Sequence, residues 1–299
     1  MIWQILVNGL IIGSLYAILA LGFSIIYNGT KIFHIAYGAI YTSAVYFYLL
    51  GIYLINSIFG EIGGFSFIVV VLFSFLCIVL FSSLIEVIIY RPLLIKKASS
   101  LIYFISSLGM YIITTNIIAL VFGNETKILN TEIEPSISFG NIIVSRIQLI
   151  QLIVSTILLI IVFFIIKKTS LGRNIRALSD NPDLLSVFGM NINHVRYIIF
   201  IIGSMLAASS SLLRAFDVGV DPYVGLSAVL TSAVAVIIAG TGSHFGAIVA
   251  ALIIGIIQNI VVWFTSAQWQ DAVTFLILTT ILLIRREGLF VKQLRLEER

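Results

Sequence analysis

The chain has 299 residues, 60% of them hydrophobic and only 10% charged, with 17 basic against 13 acidic side chains. Its mean hydropathy of +1.16 excludes an ordinary soluble domain and a disordered chain, since neither carries so much apolar surface. The composition fits an all-α polytopic membrane protein. In hydrocarbon every backbone N–H and C=O needs an internal partner, and roughly 20 apolar residues in a helix supply them across about 30 Å.

Nine apolar runs follow in chain order, near residues 4–27, 34–56, 66–90, 101–122, 147–166, 196–216, 226–240, 246–265 and 269–284. They predict about eight to nine transmembrane helices in a single domain spanning 1–299, some of them interrupted. The first run lacks the basic start and short apolar stretch of a cleaved signal, so it reads as a retained helix. Small residues recur every fourth position at Gly9, Gly13 and Ala17, at Gly203, Ala207 and Ser211, at Thr231, Ala235 and Ala239, and at Gly242, Gly246 and Ala250. Such faces let helix backbones approach closely. Cys77 is the only cysteine, which excludes an internal disulfide.

Polar groups inside spans are costly when they face lipid, so Asn8, Asn116, Gln258 and Asn259 are expected to face protein or a water-filled path. Glu86, near a span end, is expected to reach Arg91 or water. The seventh run is short. Gly225 precedes it and "AGTGSHFG", with Gly240, Gly242 and Gly246, follows. This is the pattern of glycine-interrupted half-helices, which bring helix ends and free carbonyls to a transport site. The string "RAFDVGVDPYVG" crowds Arg214, Asp217 and Asp221 into one short connection. It reads either as a docking surface or mouth for a zwitterionic solute, or as a solvated turn with weak local ion pairing.

Orientation follows from the basic residues. If the polar segment after the fifth run lies inside, fourteen Lys and Arg are cytoplasmic and three, Lys127, Arg146 and Arg214, are external. That asymmetry predicts nine crossings, an external N-terminus, residues 123–145 as the largest external segment and a cytoplasmic tail over about 285–299. The basic charge is therefore topological, with membrane lipid around the chain and no nucleic acid expected as a partner. The polar segment itself, "RNIRALSDNPDLLSVFGMN" at 173–191, predicts a short helix outside the bilayer. Ser179, Asp180 or Asn181 is placed to cap it, Pro182 and Asp183 occupy its first turn, and Gly189 with Asn191 ends it. Leu184, Leu185, Val187 and Phe188 give it an apolar side, which needs either lipid headgroups or a protein partner.

Bond-breaking chemistry is not in evidence. There is no Gly-x4-Gly-Lys-Ser/Thr phosphate loop. His34, His194 and His244 lie far apart, without cysteine or carboxylate at ligand spacing, and no Ser, His and Asp arrangement suggests a nucleophile. No catalytic residue, metal or cofactor is expected on this chain.

Five strings in order resemble one family over almost the whole length. "LVNGLIIGSLYAILALGFSIIY" is similar to the first helix of LivH-type permease subunits of branched-chain amino acid ABC importers. "EVIIYRPL" at 86–93 resembles their Glu-Arg-x-x-Tyr-Arg-Pro-Leu segment, and "SSLGMYIITTNIIALVFG" the helix after it. "GRNIRALSDNPDLLSVFGMN" resembles their cytoplasmic coupling loop, and "RREGLF" at 285–290 their closing motif. In the loop, Asp183 and Gly189 match the family's acid and glycine, whereas Leu184 and Leu185 replace two alanines. Tyr37 stands where the family has histidine, with His34 three residues earlier; Thr241 falls in a usually glycine-rich stretch, and Arg286 replaces a proline.

The resemblance implies an ATP-driven import permease for branched-chain or other small amino acids. Its implied partners are cytoplasmic ATPase subunits, which carry the ATP and Mg, a second permease subunit and an extracytoplasmic solute-binding protein. It implies ATPase docking through Arg176, Asp180, Asp183, Leu184, Leu185, Phe188 and Gly189. The departures direct attention to a translocation path near Asn8, His34, Tyr37, Gly38, Gly225, Gly240, Gly242, Gly246 and Gln258. The alternatives are a self-contained secondary transporter or channel, an ABC permease for another small solute such as urea or a short amide, and an inert membrane anchor.

Overall fold

A computed structural model describes residues 2–59, 63–130, 135–140, 142–180, 189–240, 242–285 and 288–290. Its long helices are α1 (Ile2–Thr30), α2 (Ala36–Phe59), α3 (Gly63–Ile85), α5 (Ser100–Phe122), α6 (Arg146–Lys168), α8 (Ile192–Val218), α9 (Val224–Ala239), α10 (His244–Phe264) and α11 (Gln270–Ile284). Two shorter ones are α4 (Arg91–Ile95) and α7 (Ser170–Asp180). Among the described residues, eight helical segments are long and apolar enough to cross a membrane, and α9 is a shorter apolar helix. Among the described prolines, Pro135 and Pro222 fall in connections and Pro92 follows a π-turn, since a missing N–H disturbs the regular ladder.

α1 is the axis of the bundle, packed against α10, α8, α9, α6 and α7. The small-residue faces explain how. A Cβ on Gly9 would come within 2.7 Å of the Ile256 backbone, and one on Gly255 would collide with Gly13, so α1 and α10 touch backbone to backbone. Gly22 and Gly203 do the same for α1 and α8. Around this axis the outer helices α5, α6 and α11 keep long apolar faces exposed, including Leu120, Phe164 and Leu283, as lipid-facing surfaces do.

Side-chain and backbone contacts sort the helix ends into two groups. At one end Asn28 meets Gly242, Glu86 meets Arg196 and Arg176 meets Ile166. Lys31, Lys96, Lys97, Lys167 and Lys168 flank these residues, and this is the basic end. At the opposite end Gln4 pairs with Ile143, Lys127 bridges Val220 and Ser227 bonds Asp271. Followed in chain order, the nine long helices run alternately between these ends.

Four local features depart from the sequence expectation. Residues 136–145 form a hairpin, β1 (Ser136–Phe139) antiparallel to β2 (Ile142–Ser145). Gln4 clamps it through both its oxygen and its nitrogen, accepting from Ile143 N–H at 2.7 Å and donating to Ile143 carbonyl at 2.8 Å. Residues Glu86–Tyr90 form a π-helical turn, with Arg91 N–H bonded to the Glu86 carbonyl. The reason is Pro92, which lacks an N–H and crowds the carbonyl four residues back. The polar segment begins earlier than the expected short helix, in the stretch "KKTSLGR". There Thr169 caps α7, accepting from Gly172 N–H at 3.2 Å, and Gly172, Ile175 and Leu178 are buried. Ser179 and Asp180, expected as caps of a later helix, are the last residues of α7. Finally, Arg214 belongs to α8 and not to a loop, because α8 continues to Val218 and ends at Gly219 with φ of 83°.

Candidate translocation path and docking loop

At the basic end α9 stops after Ala239, and α10 restarts at His244. Gly240 and Gly242 have φ of 88° and 95°, a region closed to most L side chains. The 16 residues of α9 rise about 24 Å, short of a full crossing, so irregular backbone completes the passage. α1 holds that backbone. Asn28 Oδ1 accepts from Gly242 N–H at 3.0 Å, Asn28 Nδ2 donates to Ser24 Oγ at 3.0 Å, and Ser24 Oγ shares a 2.8 Å hydrogen bond with His244 Nδ1. Leu289 and Phe290 donate their N–H groups to the Ile238 and Ala239 carbonyls at 2.8 and 3.0 Å. The last carbonyls of α9 are thereby satisfied by the "GLF" segment, and Gly288 fits against Gly240. Gly246 is the third residue of α10, and its N–H bonds the Ser243 cap at 3.0 Å.

His34 and Tyr37 lie deeper, both fully buried. His34 Nδ1 shares a 2.6 Å hydrogen bond with Tyr90 Oη, and the ring sits against Phe200 and Tyr90. In the connection between α1 and α2, burial alone pulls the imidazole down to about 3, so it is neutral at physiological pH. Tyr37 reaches between α1 and α8, its hydroxyl donating toward the Leu19 and Gly203 carbonyls at 3.1 and 3.2 Å. Gly38 and Gly225 meet each other, and a Cβ on either would collide with the other's backbone. Gly225 thus serves a tight crossing of α2 with α9.

Asn8 and Gln258 stand apart from the break. Asn8 accepts from Gln4 Nε2 at 3.0 Å on its own helix, and Gln258 is buried with its Nε2 donating to Thr274 Oγ1 at 2.6 Å. Asn116, expected to face protein or a path, is exposed on the outside of the chain and bonds its own helix through the Ile112 carbonyl at 2.7 Å.

Glu86 corrects another expectation. It reaches neither Arg91 nor water but pairs with Arg196, Oε1 to Nε at 3.2 Å, with about 5% of either side chain exposed. Arg196 starts α8, just after the polar loop, and Glu86 opens the π-turn. Sequence reasoning missed the pair because its members are 110 residues apart.

The polar loop hangs between α6 and α8. α7 braces its start, packing on α1, α6 and α8, and the Arg176 guanidinium donates to the Ile166 carbonyl. Gly189 has φ of 74°, and Asn191 caps α8 by accepting from Asn193 and His194 N–H at 3.0 and 3.3 Å. Asp183, Leu184, Leu185 and Phe188, expected from the sequence to dock an ATPase, lie outside the described residues.

At the opposite end, Arg214 points among three helices. Its guanidinium lies near the Tyr41 side chain of α2 and the Tyr16 side chain of α1. Asp217, three residues on, is exposed, lies near the Gln148 and Gln151 side chains of α6 and stands in the field of Arg214.

A multi-pass helical bundle, with a broken helix at its basic end and a braced polar loop between two spans, defines a permease subunit of the cell membrane. The chain belongs to the family described as the permease component of branched-chain amino acid transport systems, whose model matches residues 5–282. It is 28% identical over 292 residues to the high-affinity branched-chain amino acid transport permease BraD of Pseudomonas aeruginosa, covering 96% of this chain and 94% of BraD. To LivH of Escherichia coli, named for the same transport, it is 27% identical over 303 residues, again 96% and 94% of the two chains. A shorter similarity, 32% over 114 residues, links 36% of this chain to 30% of the xylose transport permease XylH of Haemophilus influenzae. No solved structure matches the chain.

Proposed function

We propose that this permease imports branched-chain or other small amino acids, powered by ATPase subunits that bind the polar loop on the cytoplasmic side. A second permease subunit completes the pore, and an extracytoplasmic binding protein delivers the solute. ATP and Mg belong to the ATPases. The observation that carries this reading is the family match over 5–282, whose bounds take in the loop and both helices that flank it.

The geometry supports the coupling role. Because α7 packs on α1, α6 and α8, a pull on the loop reaches three helices at once, and rigid helices pass it on as units. Leu184, Leu185 and Phe188 are assigned to a groove on the ATPase, where burying each would contribute about 1.5–3 kcal/mol. Arg176, Asp180 and Asp183 set orientation at the rim, and Gly189 ends the helix. His34, Tyr37, Gly38, Gly240, Gly242 and Gly246 are the moving or permissive parts of the path, near which the α9–α10 break opens.

Reconstitution tests this. The assembled transporter with its binding protein should take up leucine only with ATP inside the vesicle face that carries the ATPases. Leu185→Asp and Gly189→Val should each abolish uptake and weaken ATPase co-purification. Uptake by the permease without ATPase, or wild-type behaviour of both variants, would overturn the assignment.

A further inference from the structure

Two sets of contacts hold the α9–α10 break, and they differ in how they can let go. The first is buried. Asn28 Oδ1 accepts from Gly242 N–H at 3.0 Å, and both Asn28 and Ser24, its link to His244, are at most 1% exposed. Opening this hold would strand polar groups away from water and pull α10 from α1, where the backbones touch at Gly9, Gly13 and Gly255. The second hold lies at the surface. Leu289 and Phe290, 40% and 38% exposed, donate to the last two carbonyls of α9, Ile238 and Ala239, at 2.8 and 3.0 Å. Gly288, at φ of 90°, lies so close to Gly240 that a Cβ on it would collide with the Gly240 backbone. A Cβ on Gly246 would meet the Phe290 Cβ at 2.9 Å. Residues 288–290 therefore cross the break from the end of α9 to the start of α10. Water can replace both of their hydrogen bonds, so lifting them costs little. They also hang from a loosely anchored helix, since Thr274 is the one buried residue of α11.

We propose that residues 288–290 are a releasable strap that closes the inner end of the translocation path, lifting off α9 in each transport cycle while the Asn28 bond stays made. At rest the strap covers the Ile238 and Ala239 carbonyls and seats Phe290 on Gly246. When α11 shifts, the strap goes with it, and the two carbonyls are freed at the path, as carbonyls at broken membrane helices are. Asn28 meanwhile keeps the break in place on α1, so the strap closes again on the same seat. The inference rests on the importer reading above and names the contact that opens.

Hydrogen–deuterium exchange reads both holds directly, because their donors are backbone amides. The assembled transporter, with its binding protein and leucine, is compared at rest and during ATP turnover. Leu289 and Phe290 should exchange severalfold faster in turnover, and Gly242 should not change. Strap amides as protected in turnover as at rest, or Gly242 losing protection with them, would overturn the proposal. A disulfide gives the second arm. Gly246→Cys with Phe290→Cys, in a Cys77→Ser background, places two Cβ atoms near bonding range, and oxidation should stop leucine uptake until reductant restores it. If the cross-linked transporter imports as fast as the same protein does when reduced, the strap is a static cap and the proposal falls. If wild type imports leucine while its strap never lifts, only this inference is lost; if it imports no amino acid, the importer reading is lost with it.

Discussion

Arg196 and Arg214 stand eighteen residues apart on α8, five helical turns, and so share one face of the helix at a separation of about 27 Å. Arg196, at the basic end, is buried against Glu86 and the π-turn. Arg214, at the opposite end, is partly accessible and surrounded by phenols. The same residue type is locked in a buried ion pair at one end and left partly open, beside an exposed acid, at the other. The buried pair joins α8, the helix after the polar loop, to the π-turn that follows α3, so motion of α8 reaches α3 through a fixed joint.

The largest effect should come from breaking the buried pair. Arg196→Ala leaves Glu86 charged, buried and unpaired, which typically costs about 3–5 kcal/mol. Unfolding of the purified subunit in mixed micelles should show that loss, and Glu86→Leu combined with Arg196→Met should restore most of it, because two apolar groups need no partner. A double variant as unstable as Arg196→Ala would mean that the pair does more than neutralise itself.

A smaller effect should follow at Tyr90, on the same π-turn. Tyr90→Phe removes the hydroxyl bonded to His34 Nδ1, leaving a buried ring nitrogen unsatisfied at about 1–3 kcal/mol. His34→Phe with Tyr90→Phe should recover part of that loss in the same unfolding measurement. A single variant as stable as wild type would show that the basic end is held by the ion pair alone.

How much of this was legible in the sequence depended on distance along the chain. The long helices were legible because each is a local run of apolar residues, and even the short α9 and its glycine break could be read from 225–246. The hairpin carried a readable signal that went unused: alternation in "SISFGNIIVS" around a Gly-Asn turn. α7 was hidden by its polarity, although Gly172, Ile175 and Leu178 recur at helical spacing. Glu86 with Arg196, and Arg214 with Tyr16 and Tyr41, were not legible, since only the packing of α1, α2, α3 and α8 brings them together. Arg214 was grouped with the polar string "RAFDVGVDPYVG", although the apolar run to 216 already contained it, and the helix itself ends at Gly219.

The smallest stability effect is expected at Arg214, and it sharpens the comparison most. Arg214→Met removes a cation from a partly open site, and the nearby acid it leaves, Asp217, is exposed and keeps its hydration. The methionine stem retains much of the packing of the arginine chain. The change should therefore stay below about 1 kcal/mol, the range of an ordinary net hydrogen bond, several times less than Arg196→Ala in the same assay. A small loss at Arg214 beside a large one at Arg196 would show that only the buried pair scaffolds the bundle. If Arg214→Met destabilises the subunit as much as Arg196→Ala does, both arginines hold helices together, and partial exposure does not set the cost of removing the cation.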